Sequence, residues 1–80
     1  MITVQVKLFA TLRRFRPGLG IGEAFTMELD AGATVAQLIA LLGLPAEEIK
    51  TVFVNNVIRG QDYPLADGDQ VGIFPPVGGG

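Results

Sequence analysis

Apolar and polar positions alternate from the second residue of the chain. Ile2, Val4, Val6 and Leu8 interleave with Thr3, Gln5, Lys7 and Phe9, the period of a half-buried strand. With the aliphatic set turned inward, Phe9 faces out among polar neighbours. Alternation returns over Ala24–Leu29, where Phe25, Met27 and Leu29 share one face and Thr26 and Glu28 the other. Pro17-Gly18 and the glycines at 18, 20 and 22 predict a flexible hairpin connection over residues 10–22. The period then changes. Val35, Leu38, Ile39 and Leu42 form one helical stripe, widened by Ala40 and Leu41. Thr34 stands at the N-cap with Gln37 at capping-box spacing, Gly43 fits the left-handed position after the helix, and Pro45 prevents continuation. Pro45–Ile49 reads as a helical turn. Thr51–Asn55 and Val57–Arg59 read as strands joined by a tight Asn55-Asn56 turn. Residues 61–68 are irregular, and Gln70–Phe74 is the last strand, ended by Pro75-Pro76.

The order is hairpin, helix, then three further strands. One helix on one face of a mixed sheet is an α+β layer architecture. The order matches the β-grasp, or ubiquitin-like, fold, in which the first and last strands lie parallel at the sheet centre. Parity then assigns faces. Val71 and Ile73 turn toward the helix and Phe74 away; Val52 and Val54 turn inward and Phe53 away. With Phe9, this places three phenylalanines on the uncovered face, a pattern that suggests a protein-binding patch.

Composition removes most chemistry. The 80 residues contain no Cys and no His, which excludes disulfides and thiolates and removes the commonest metal ligand and general base. A formal net charge of −2 gives no electrostatic case for nucleic acid or anionic membranes. The single basic cluster, Arg13-Arg14-Phe15-Arg16, reads as a solvated turn. The glycines at 18–22 lack the strand-to-helix setting and the Lys-Ser/Thr of a phosphate loop. Asp67-Gly68-Asp69 lacks the remaining ligands of a calcium loop and reads as a solvated turn. No metal, bound cofactor or internal active site is expected. No apolar run is long enough to span a membrane, and the opening alternation is unlike a signal peptide, so a cytoplasmic protein is expected.

The remaining candidate is Phe74-Pro75-Pro76-Val77-Gly78-Gly79-Gly80. Two prolines hold the backbone extended and stop it pairing with the sheet. The glycines offer the smallest cross-section available to a chain entering a narrow channel. The expected organisation is a domain over residues 1–74 and an extended tail over 75–80, with the carboxylate of Gly80 as the working group.

The segment from Tyr63 to Gly80 resembles the C-terminal region of the small subunits of molybdopterin synthase, which typically end in Phe-Pro-Pro-Val, one variable residue and Gly-Gly. The opening Val6-Lys7-Leu8-Phe9-Ala10-Thr11-Leu12-Arg13 is similar to the family's first strand and turn. Gly78 stands at the variable position. The resemblance implies a sulfur carrier without catalysis of its own. A ubiquitin-activating-enzyme-like adenylyltransferase uses ATP to adenylate Gly80, and a sulfur donor protein then supplies sulfur, leaving a C-terminal thiocarboxylate. The tail, with Gly79 giving clearance and Pro75, Pro76, Val77 and Gly78 behind it, enters the large synthase subunit and donates sulfur to a pyranopterin precursor. Phe74 matches an interface residue of the family, and Phe9 aligns with another; Phe53 joins them by parity alone. Three alternatives stay open: a thiamine-pathway sulfur carrier, a ubiquitin-like protein modifier, and a plain interaction domain.

Overall fold

Strands β1 (Ile2–Leu8), β2 (Phe25–Leu29), β3 (Thr51–Val54), β4 (Val57–Ile58) and β5 (Gln70–Phe74) form one mixed sheet with helix α1 (Val35–Leu42). The computed structural model describes residues 1–18, 20 and 22–76. The sheet order is β2-β1-β5-β3-β4, with β1 and β5 parallel at its centre and the other pairs antiparallel. This is the β-grasp topology that the element order predicts.

The core lies between the sheet and α1. Val4, Val6 and Leu8 of β1, Val52 and Val54 of β3, and Val71 and Ile73 of β5 are buried with Val35, Leu38 and Ile39 of the helix. Each such side chain contributes roughly 1.5–3 kcal/mol by leaving water. A short chain without staples depends on this burial. Thr34 and Gln37 form the full capping box: Thr34 Oγ1 accepts from the Gln37 N–H (3.3 Å), and Gln37 Oε1 accepts from the Thr34 N–H (2.8 Å). The irregular segment before β5 satisfies two more helix-terminal donors, since Val35 N–H and Ala36 N–H donate to the carbonyls of Tyr63 and Gln61. Gly43 ends the helix at φ +73°, a conformation that penalises any Cβ.

Three readings change. Residues 10–22 are not all connection, because Ala10–Phe15 forms a 3-10 helix whose Leu12 is completely buried. Ala10, at φ +51°, turns the chain into it from β1. The basic cluster therefore lies in and just after this 3-10 helix, with Arg14 exposed as expected and two of its three guanidinium groups over aromatic rings. The guanidinium of Arg14 sits 4.7 Å above the Phe15 ring and pairs with Glu48, and that of Arg16 sits 4.7 Å above Phe25. Second, Ala40 and Leu41 do not widen the buried stripe. The helix turns by about 100° per residue, which carries both round to solvent and leaves Leu41 65% exposed. Third, Asp69 is buried rather than solvated, and its carboxylate accepts from Asn55 Nδ2 and the Ala66 N–H, both at 2.8 Å. Asp67 is exposed, but its Oδ1 accepts from the Thr3 N–H at 2.8 Å and so ties the start of β1.

Candidate functional site

The face of the sheet opposite α1 is uncovered, and its side chains fall on transverse rungs fixed by the ladder. β1 presents Thr3, Gln5 and Lys7 there. Gln5 pairs with Gln70 and Thr26, and Lys7 pairs with Gly72. On the other side of Gly72 stands Phe53, and opposite Phe53 stands Ile58. Residues directly opposite in a sheet share a face, so Lys7, Gly72, Phe53 and Ile58 make one rung across β1, β5, β3 and β4.

The three phenylalanines that parity assigns to this face come together above that rung. Phe9 follows β1, and its N–H still donates to the Ile73 carbonyl at 3.1 Å, which holds its backbone in the central ladder. Phe74 closes β5, opposite Thr51, and its carbonyl accepts from the Lys50 N–H at 2.8 Å. Their rings stack with centroids 4.1 Å apart and planes 3° from parallel. Phe53 meets Phe74 edge to face at 5.4 Å. Aromatic pairs in these geometries are worth about 0.5–1.5 kcal/mol beyond their buried area. Gly72 makes the arrangement possible. A Cβ at that position would lie 3.2 Å from Cε2 of Phe9 and 3.6 Å from Cε1 of Phe74. The Phe9 ring lies where any larger residue would put its side chain.

A groove of about 510 Å³ runs along this face, with Gly72 in its lining and Phe9, Phe53 and Phe74 beside it; Lys7, Gln5 and Gln70 also border it. The sequence analysis singles out the phenylalanines of this face but not Gly72, Lys7 or Ile58. The signal for Ile58 was present. Asn55 and Asn56 both adopt positive φ, +52° and +70°, the two-residue turn that pairs Val54 with Val57 and hence Phe53 with Ile58. Among the described residues, no group of three or more acidic, His or Cys side chains is placed to hold a metal. No helix among them is long and apolar enough to cross a membrane.

The tail follows directly on β5. Phe74 is the last ladder residue, and neither proline after it has an N–H to extend the pairing. Pro75 is buried and Pro76 exposed. Val77, Gly78, Gly79 and Gly80 lie outside the described residues, so the expected tail insertion and the role of Gly80 have no structural account.

Comparison with known proteins decides the family. The ThiS family profile matches residues 6–80, nearly the whole chain. The chain belongs to the ThiS family. It is a ubiquitin-like sulfur carrier with a β-grasp fold. Among solved structures, this ThiS-family chain is similar to a Pyrococcus furiosus protein assigned as molybdopterin converting factor subunit 1, at 29% identity and a TM-score of 0.77, over 96% of this chain and 100% of that one. It is similar to SAMP1, small archaeal modifier protein 1, of Haloferax volcanii, at 28% identity and a TM-score of 0.73, over 98% and 99% of the two chains. It also shares its fold with a chain in the complex of subunits 1 and 2 of molybdopterin-converting factor from Helicobacter pylori, at 22% identity and a TM-score of 0.64, over 99% and 100%. Curated proteins give no match to the sequence.

Proposed function

We propose that this ThiS-family chain is the sulfur-carrying small subunit of a molybdopterin synthase, working in the cytoplasm. Residues 1–74 are the handle and residues 75–80 the arm. A ubiquitin-activating-enzyme-like adenylyltransferase joins the Gly80 carboxylate to AMP from ATP, releasing pyrophosphate. The acyl adenylate has a good leaving group where the carboxylate had none. A sulfur donor protein then delivers sulfur to the acyl carbon as AMP departs, leaving a thiocarboxylate. Gly79 and Gly78 let the arm pass a narrow channel, while Phe74, Phe9 and Phe53 dock the handle on the large subunit. There the thiocarboxylate gives its sulfur to a pyranopterin precursor. The chain supplies no catalytic group of its own and binds no cofactor.

The observation that carries this reading is the sequence Phe74-Pro75-Pro76-Val77-Gly78-Gly79-Gly80 placed at the end of β5. Phe74 belongs at once to the aromatic cluster and to the root of the arm, so docking through the rings aims the glycines. The likeness to the Pyrococcus furiosus subunit supports the pathway. The test is reconstitution. The thiocarboxylated chain, mixed with the large subunit and pyranopterin precursor, should form the dithiolene product in proportion to the thiocarboxylate added; absence of product would count against the pathway.

A second reading has one observation in its favour. SAMP1 is a modifier by name, and the same activated Gly80 could be passed to a lysine amine. Isopeptide-linked conjugates in cells expressing the chain, lost when Gly80 is deleted, would support it.

A further inference from the structure

Between Phe9 and Leu12 the chain passes from the open face of the sheet to the core. The Phe9 ring lies in the stack with Phe74, and Leu12 is wholly buried. One residue makes the reversal. Phe9 keeps an extended backbone, with φ −112° and ψ 153°. Its N–H remains bonded to the Ile73 carbonyl, and its own carbonyl accepts from the Leu12 N–H at 3.1 Å. That bond closes a turn whose first central residue is Ala10, at φ +51°. In that region the Cβ of an L-residue crowds the following carbonyl oxygen, and turns that need it place Gly, Asn or Asp there. The other positive-φ positions among the described residues keep to that rule: Gly22, Gly32, Gly43, Gly68, Asn55 and Asn56. Ala10 is the exception. It is also exposed, so burial of its methyl does not offset the strain.

What the methyl does is narrow the choice of backbone. Both ends of the turn are anchored, Phe9 by the ladder and Leu12 by the core. Between those anchors a Cβ leaves only the small left-handed well at positive φ. Glycine would open the rest of the positive-φ region, which is closed to residues with a side chain, and the turn could then take several shapes. The ring beside it has little tolerance for that. Cε2 of Phe9 lies 3.2 Å from where a Cβ on Gly72 would stand, and the ring is 3° from parallel with Phe74. From this relationship we infer that Ala10 is a positioning residue for docking. Its strained turn confines Phe9 to the stack with Phe74, the surface that the large subunit meets. Strain held in place by its surroundings marks sites where geometry outweighs stability. Ala10 acts through Phe9, by setting the share of free chains that already hold the stack.

This inference rests on the sulfur-carrier reading for its partner, the large synthase subunit. The experiment compares the full wild-type chain with Ala10→Gly and Ala10→Asn. It reads the melting temperature, the ring-current shifts of the Phe9 and Phe74 protons in the free chain, and the affinity for the large subunit by calorimetric titration. Ala10→Gly should melt at or above the wild-type temperature, because it relieves the backbone. It should nevertheless lose at least about threefold in affinity, with ring-current shifts moved toward those of unstacked rings. Ala10→Asn keeps a Cβ and accepts the left-handed conformation more readily, so it should hold the wild-type shifts. A merely structural Ala10 would make stability and affinity move together. A fall in both for Ala10→Gly would therefore overturn the inference, as would wild-type affinity in that variant. Weakened binding with unchanged shifts would also overturn it, since the methyl would then be a direct contact. Loss of the stack in Ala10→Asn, or failure of the wild-type chain to bind the large subunit, would do the same. Failure of the sulfur-carrier reading is seen separately, in a Gly80 that never acquires sulfur in the same preparation.

Discussion

The ring of Phe9 lies flat on the ring of Phe74, 4.1 Å between centroids, over the space that Gly72 leaves empty. The two residues are at the ends of the parallel central strands, so the stack joins the opening of the chain to the root of its arm. Phe74→Ala should weaken binding of the large subunit by more than about 1 kcal/mol, the threshold that separates interface anchors from neutral contacts. Phe9→Ala should also weaken it, and the double variant should lose less than the sum, because each ring positions the other. Calorimetric titration of the four proteins gives the coupling. Additive losses would show that the stack does not act as a unit.

Leu12 is the buried residue of the 3-10 helix that follows Phe9. Leu12→Ala should cost about 2–5 kcal/mol in urea unfolding, as for other large-to-small changes in a core. A loss near zero would mean that the segment is not docked as described.

Asn55 holds the β3–β4 turn to the start of β5. Its Nδ2 donates to the buried Asp69 carboxylate at 2.8 Å, and its Oδ1 accepts from the Gln70 N–H at 3.0 Å. Asn55→Ala removes both bonds and leaves the buried carboxylate with one donor fewer, so a loss of about 1–3 kcal/mol is expected. Because Asn55 also has φ +52°, the variant Asn55→Gly separates the two effects. It should lose less, since it relieves the backbone while still lacking the side chain.

Much of this architecture can be read from the residues. Alternation in β1 and β2, and the parity of the valines and isoleucine in β3 and β5, give strands and faces, and Thr34, Gln37 and Gly43 bracket α1 to within a residue. The 3-10 helix escapes because its signals conflict. Arg13, Arg14 and Arg16 look solvated, and Ala10 takes a left-handed conformation that alanine seldom adopts. Asp69 escapes because Asn55 is brought to it only by the pairing of β3 with β5, while its other donor, the Ala66 N–H, reaches it through the local turn three residues back. The phenylalanines of the open face are legible from parity alone. The groove is not, because it depends on what Gly72 lacks and on which strands flank it.

Deleting Gly80 should leave the unfolding midpoint unchanged, since glycine has no side chain to bury, and should abolish sulfur transfer to the precursor. Normal transfer by the truncated chain would contradict a mechanism that runs through the terminal carboxylate.

The central claim is that Gly80 carries sulfur. The most direct measurement is the intact mass of the chain after incubation with its adenylyltransferase, ATP and a sulfur donor, under conditions that preserve thiocarboxylates. The account predicts replacement of one oxygen by sulfur, located at Gly80 by fragmentation and dependent on ATP. An unchanged mass with active adenylyltransferase present, or sulfur located anywhere other than Gly80, would contradict it.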